Sequence, residues 1–370
     1  MKKAVGFVKS NLVMSIAVFL AVVTLFLVPI DKEYINYFDF KTLTCLFCTL
    51  AVICALKNIG FFAFVAKKIV LSCRTLRLAV IALVYITFIG SMIIANDMAL
   101  ITFLPLGYFV LSSTSNKKAM AFTFIMQNIA ANLGGMLTPF GNPQNLYLYS
   151  YFNISNAEFV SIMFLPFIIS IAVITLLCVI FVKNDGLKLH DDTDYKLPPL
   201  RTFLYIVLFA FSIFIVFRVI PYYWGLIVVP LAIFIMDKSA LKKVDYSLLI
   251  TFCAFFIFAG NLARVDAIHD FIGSLINKNT LICGVLSCQV ISNVPSAILL
   301  SKFTENYPAL LVAVNIGGTG TLIASLASLI TFREYNKNEP GKALRYVGLF
   351  SAYNFTMLIL LTVIMYFVLY

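Results

Sequence analysis

Apolar runs close to 20 residues long recur from one end of this chain to the other, and nothing else in it constrains the fold as strongly. A helix rises 1.5 Å per residue, so a run of that length crosses the roughly 30 Å of a bilayer's hydrocarbon core. A soluble fold has no use for them. With 62% hydrophobic and 12% charged residues and a mean hydropathy of +1.00, the chain lacks the polar cover a soluble surface needs. A β-barrel, the other spanning design, would alternate polar and apolar residues in strands of about 10. The runs here are continuous, so the expected fold is an all-α polytopic membrane protein.

The formal charge of +11 does not point to nucleic acid, because the Lys and Arg residues sit in short loops between apolar runs, where they orient helices. The eight Cys are scattered singly through apolar segments, with no CxxC pair and no Cys/His cluster. They read as small core residues rather than a disulfide framework or a metal site, and no cofactor is expected. His190 and His269 read as loop residues too far apart to share a metal. The expected partners are the bilayer and a small inorganic or organic ion.

Nine full crossings are expected near 10–29, 42–64, 118–149, 159–182, 202–219, 223–237, 246–263, 308–332 and 343–369. The first, preceded by Lys2, Lys3 and Lys9, lacks a persuasive cleavage site and reads as a retained helix rather than a signal peptide. Two further apolar stretches are interrupted: 78–113 at Asn96-Asp97, and 280–303 at Ser292-Asn293-Val294-Pro295. The arms of the second, about 12 and 8 residues, are too short to span, so it reads as a re-entrant hairpin. The arms of the first are longer, which leaves open a hairpin or a pair of tilted crossings. Either way, twenty of the 27 Lys and Arg fall on one side. Lys32, Lys41, Arg218, Arg264, Lys278 and Lys302 fall on the other, and Lys57 lies inside a crossing. That bias places the N-terminus in the cytoplasm and the C-terminus outside, in a bacterial inner membrane. Lys57 and Arg264, near crossing ends, read as snorkelling side chains.

The chain also repeats itself. Asp39-Phe40 and Asp245-Tyr246 each open a crossing; IIANDMALITFLPL is echoed by QVISNVPSAILLS. Asn132-Leu133-Gly134-Gly135 is echoed by Asn315-Ile316-Gly317-Gly318. Five crossings separate the two units, an odd number, so the halves should have inverted topology. The expected organisation is an N-terminal crossing (1–38) and a first repeat (39–182) with hairpin 78–113 and broken helix 118–149. Linking crossings (183–244) lead to a second repeat (245–370) with hairpin 280–303 and broken helix 308–332. Paired discontinuous helices in inverted repeats are the plan of secondary transporters.

Broken helices are tolerated at membrane depth only where they line a cavity or bind something, so the breaks locate the site. Half-helix N-termini suit anions, while unwound carbonyls suit Na⁺. Asp97 is the deepest acid and reads as a Na⁺ ligand or proton carrier, or as a helix N-cap. Asn96 and Asn293, beside Ser292, occupy matching tips and serve either cargo contact or turn formation. A Na⁺ is accommodated by Asn96, Asp97, Asn293 and adjacent carbonyls. Asn132 and Asn315 precede Gly pairs and serve the cargo or helix packing. Thr138, Asn142 and Asn145 in the longest break, and Thr319 and Thr321 opposite, complete the candidate ligands. Pro139, Pro143 and Pro295 keep the backbone unwound.

These motifs resemble the ion transporter superfamily, which includes divalent anion/sodium symporters, citrate–metal carriers, arsenite permeases and a family of sodium/proton antiporters. The likeness runs from about Asp39 to Arg333. Where the symporters carry Ser-Asn-Thr at both tips, this chain has Ala95-Asn96-Asp97 and Ser292-Asn293-Val294. Where they carry Thr-Pro-Pro-Asn, it has Gly141-Asn142-Pro143-Gln144-Asn145. ANDxAL at the first tip and Asn-Val-Pro at the second are closer to arsenite permeases. The resemblance implies an elevator mechanism and a homodimer. It leaves a small-anion permease coupled to Na⁺ or H⁺ as the first expectation, ahead of a Na⁺/H⁺ antiporter or arsenite efflux through Asp97. A channel is disfavoured by the paired breaks, and a membrane enzyme by the lack of a His–Asp, Ser–Lys or metal-binding pair at membrane depth.

Overall fold

The computed structural model describes residues 12–114, 116–187 and 196–370. Lys2, Lys3, Lys9, Lys188 and His190 lie outside the described residues, as does the start of the first expected crossing. Among the described residues there are helices and no strands, with one isolated bridge between Thr75 and Gly186. Six helices among the described residues are long and apolar enough to cross a membrane: α2 (Phe40–Asn58), α4 (Leu76–Ile94), α8 (Asn156–Phe181), α9 (Pro199–Val216), α12 (Tyr246–Ala263) and α18 (Ala343–Leu369). Burial ranks them. The apolar window of α2 is 72% buried inside the protein, against 22% for α8 and for α9. Thus α2 is central, while α8 and α9 turn most of their surface outward, where Phe164, Leu176, Phe203 and Val207 are exposed.

Sequence sets where these helices start. Asp39 accepts from the Thr42 backbone N–H at 3.0 Å and caps α2; Asp245 accepts from Leu248 at 3.0 Å and caps α12. The expected crossing at 42–64 stops short at Asn58. Gly60, at φ +71, turns the chain in a left-handed conformation that terminates helices, and a separate helix α3 (Phe61–Leu71) follows. A short helix α13 (Asp266–Ile276) also follows α12 and meets α14 (Thr280–Ile291) at 115°. His269 is therefore helical rather than in a loop. Arg264 does more than snorkel: it donates to both Asp31 oxygens, at 3.0 and 2.6 Å, and to the Tyr37 hydroxyl at 3.0 Å. Its guanidinium holds the Asp31 carboxyl below the usual carboxylate range and ties the loop after α1 (Leu12–Thr24) to the end of α12.

Both interrupted stretches are single-residue breaks between helices that pack on each other. The first joins α4 to α5 (Asn96–Ser113), and it begins at Leu76 rather than 78. The second joins α14 to α15 (Asn293–Leu300), with arms of 12 and 8 residues, roughly 18 and 12 Å long. The two expected broken helices are α6 (Met120–Gly134) followed by α7 (Pro143–Tyr151), and α16 (Tyr307–Ile316) followed by α17 (Leu326–Asn338). Their packing interlocks. Hairpin arm α4 lies on α6 and α14 lies on α16, while α5 contacts α17 and α15 contacts α7. Each hairpin is thus held by one broken helix and capped by the far end of the other, which brings all four interruptions together.

Candidate functional site

The two hairpin tips share one unusual geometry. Ala95 sits at φ 63°, ψ 152° and Ser292 at φ 75°, ψ 158°, a region that residues with a Cβ occupy only at a cost of about 1–3 kcal/mol each. In both cases the next residue is an asparagine that opens the following helix. The Asn96 side-chain oxygen accepts from the Asp97 N–H at 3.0 Å; that of Asn293 accepts from Val294 at 2.9 Å. Both asparagines are buried. Since only the backbone forces the strain at Ala95, Ala95→Gly is expected to raise stability by about 1 kcal/mol, read as a higher melting temperature in detergent. A lower one would mean that Ala95 carries contacts which outweigh its dihedral strain.

Carboxamides and hydroxyls sew up the breaks behind the tips. Across the first break, Asn145 donates to the carbonyls of Gly135, Met136 and Thr138, at 3.2, 3.4 and 3.4 Å. Across the second, Gln289 donates to the carbonyls of Gly317 and Thr319, at 2.9 and 3.1 Å, and accepts from the Thr321 N–H at 2.9 Å. Unwound backbone cannot be left bare in hydrocarbon, and these amides replace the lost helical partners. One bond recurs in register: Thr138 donates its hydroxyl to the Met92 carbonyl at 2.8 Å, and Thr321 to the Gln289 carbonyl at 3.2 Å. Asn142 and Ser325 then stand at the N-caps of α7 and α17, both in extended conformation.

Side chains also join the halves directly. Asn142 donates to the Asn315 side-chain oxygen at 3.1 Å, and Asn315 donates to that of Asn145 at 2.6 Å. Asn96 donates to the Asn132 oxygen at 3.3 Å. A Cβ placed on Gly318 would lie 3.4 Å from that Asn132 oxygen and 3.0 Å from the Asn293 nitrogen, so Asn293 of the second tip and Asn132, which bonds Asn96 of the first, converge on Gly318. The candidates at 96 and 293 line the same cavity.

A cavity of about 180 Å³ opens between the tips. Drug-sized sites run to roughly 300–1,000 Å³, so its occupant is smaller. Of the expected site residues, Asn96, Asp97, Ser292 and Asn293 line it. Asn132, Thr138, Asn142, Asn145, Asn315, Thr319 and Thr321 are not in its wall; they form the hydrogen-bonded layer described above, which fixes the tips and the breaks. Five helices begin at the wall: α5 at Asn96, α7 at Pro143, α12 at Asp245, α15 at Asn293 and α17 at Ser325 and Leu326. Each brings the positive end of its peptide dipoles. Against them stand two carboxylates, Asp97 and Asp245, with the exposed Arg333 at the rim.

Three of these wall residues escape a reading of the sequence. Gln144, 1% exposed, is one member of a longer motif, and nothing in the spelling separates it from the structural amides beside it. Asp245 shows only as the cap matching Asp39. Arg333 reads as a loop cation, whereas it lies within α17. For Gln144 and Asp245 the useful signal was positional, since each sits within one turn of a helix start; Arg333, about two turns into α17, carries no such mark.

Comparison with known proteins agrees with this architecture. The family described as citrate transporter, CitMHS, matches residues 4–311. The chain is 33% identical over 307 residues to uncharacterized transporter MJ0456 of Methanocaldococcus jannaschii, covering 83% of this chain and 84% of that protein. It is 30% identical over 284 residues to inner membrane protein YbiR of Escherichia coli strain K12, covering 75% of each. Apolar helices of spanning length, together with a family match over most of the chain, make this a multi-pass membrane transporter of the ion transporter superfamily type, and the chain belongs to the citrate transporter family.

Proposed function

We propose that the chain is a secondary active transporter that binds a small carboxylate or oxyanion between the hairpin tips and couples its movement to Na⁺ or H⁺ at Asp97. The observation that carries this reading is the convergence of five helix N-termini on one small cavity lined by both tips. Oriented N–H dipoles attract an anion without placing fixed cations in the membrane. A cation or proton on Asp97 then lowers the cost of holding that carboxylate beside the anion.

The recurrence of tip geometry, caps and the threonine bond at corresponding positions supports two inverted repeats. The basic-residue bias puts Asp245 and Arg333 on the cytoplasmic side of a bacterial inner membrane, with the N-terminus inside and the C-terminus outside. The cavity is lined by both, which supports reading this conformer as inward-facing. Hairpins and broken helices, knit by the asparagine bonds, move as one body against α2 and α12 in an elevator step, within a homodimer.

A cation exchanger is the second reading, and it rests on Asp97 and Asp245 sharing the cavity. Proteoliposome flux under imposed gradients separates the two. Accumulation of a labelled anion that collapses when the Na⁺ and pH gradients are removed is the expected result. Proton release driven by Na⁺ with no anion present would favour exchange, and solute flux indifferent to every gradient would overturn both.

A further inference from the structure

Two short helices connect the capped crossings to the hairpins. Helix α3 runs from α2 to α4, and α13 from α12 to α14; each has 11 residues, about 16 Å, too short to span. Both leave large apolar side chains exposed, Val65 and Ile69 on α3 and Phe271 and Leu275 on α13. Their charges are opposite. No acid occurs between Asp39 and Asp97, and Lys67, Lys68, Arg74 and Arg77 cluster in and just after α3. Helix α13 carries Asp266 and Asp270 and neither Lys nor Arg. The basic segment is pinned: Arg77 donates to the Val182 carbonyl at 2.8 Å, and the Leu187 N–H donates to the Arg74 carbonyl at 2.9 Å. Lys68 and Arg74 are exposed. At the end of α2, Asn58 donates to Asp237 at 2.8 Å and accepts from Lys243 at 2.6 Å, so α3 starts on the same side as Asp245, the cytoplasmic one by the basic bias.

The buried face of α3 reaches the first tip. Ala66 packs in a small apolar cluster with Ile53 of α2, Ile94 of α4, and Ala99 and Phe103 of α5. Ile94 and Ala99 bracket the strained Ala95 and the wall residues Asn96 and Asp97. A bias in Lys and Arg sets topology without any lipid contact. A basic helix that shows apolar side chains at the interface does more, because it binds an anionic leaflet, with each cation worth about a fivefold factor. We propose that α3, through Lys68 and Arg74, docks on anionic phospholipid headgroups of the cytoplasmic leaflet, and that this contact steadies the first hairpin tip through Ala66. The acidic α13 repels the same headgroups, so only one of the two tips is tied to the lipid. The inference holds for any cargo.

Hydrogen exchange of the full chain in nanodiscs tests this, with phosphatidylcholine alone compared with a mixture containing about one-third phosphatidylglycerol. Phosphatidylglycerol is expected to slow exchange at least about threefold in peptides covering 61–77 and in those covering 94–99, and to leave 266–276 unchanged. Lys68→Gln combined with Arg74→Gln is expected to abolish both effects. Lys68→Arg combined with Arg74→Lys keeps the charge and is expected to keep both. A folding loss would speed exchange throughout the molecule in either lipid, and the wild type and the charge-keeping pair then still decide the matter. Inorganic phosphate added to phosphatidylcholine nanodiscs is expected to slow neither segment. Equal exchange in the two lipids, protection that survives removal of the charges, or protection by phosphate overturns the proposal. So does protection of α3 with no change at the tip.

Discussion

Asp97→Asn is expected to lower gradient-driven uptake at least about 100-fold while leaving the protein folded. The substitution keeps the volume and the hydrogen-bond span of the side chain, and Asp97 has no ion pair among the described residues. What it removes is charge. The Asp97 carboxylate stands in the first turn of α5, where the dipole favours it by about 0.3–1 kcal/mol, so the stability loss is of that order. Function depends on it differently. One of its oxygens is buried without a partner at the wall of the cavity, and an amide there neither carries a proton nor offers Na⁺ a charged ligand. Charge-assisted contacts contribute about 1.5–3 kcal/mol, and the upper end of that range corresponds to the expected factor. The measurement pairs initial uptake under a Na⁺ or pH gradient with counterflow exchange in the absence of one. Loss of the first with survival of the second assigns Asp97 to coupling. Gradient-driven uptake within fivefold of wild type would show that the coupling ion binds elsewhere.

Much of this site is legible in the sequence because breaking a helix inside a membrane leaves a local, spelled-out mark. Asn96-Asp97, Ser292 to Pro295 and the Asn-x-Gly-Gly segments are polar or helix-breaking interruptions in otherwise apolar runs, and the structure interrupts its helices at each. Hairpin arm lengths follow from counting. The end of α2 was less legible, since an apolar turn at Ile59-Gly60 looks like continued helix until the positive φ of Gly60 is seen.

Division of labour among the polar residues could not be read at all. Asn96, Asn132, Asn142, Asn145, Asn293 and Asn315 are the same residue type near the same kind of break. Whether one faces the cavity or a stranded carbonyl depends on how two distant segments cross, as when Asn142 and Asn145 grip Asn315. Sequence periodicity carries no information about that crossing. Gln144 and Asp245 were missed for the same reason: their significance is what stands opposite them, not what stands beside them in the chain.

Gly134→Ala tests whether the hairpin and broken helix act as a unit, and it is expected to be the most disruptive small substitution in the molecule. The added methyl would lie 2.2 Å from the Phe88 carbonyl oxygen, 2.8 Å from its carbonyl carbon and 2.6 Å from the Ser91 hydroxyl. Two of those atoms are backbone, so relief requires helix α4 to shift as a body. Overpacking in a dense interior costs about 1–3 kcal/mol when side chains can adjust, and the upper end applies where they cannot. Moving α4 off α6 also stretches the Asn96–Asn132 bond, already 3.3 Å, and with it the placement of the first tip. The expected result is a melting temperature in detergent lower by several degrees, with uptake reduced at least about tenfold in the protein that remains folded. Gly317→Ala, at the corresponding place, meets the Cys288 thiol at 2.7 Å and the Ala313 carbonyl of its own helix. It is expected to be milder, because the neighbouring helix α14 meets the methyl with a side chain rather than with a backbone carbonyl. Gly348→Ala, on the open face of α18, is the control and should be neutral or slightly stabilising, since alanine suits a helix interior. Wild-type stability and uptake in Gly134→Ala would mean that α4 slides freely on α6, and the rigid-body movement proposed for the hairpins and broken helices would fail with it.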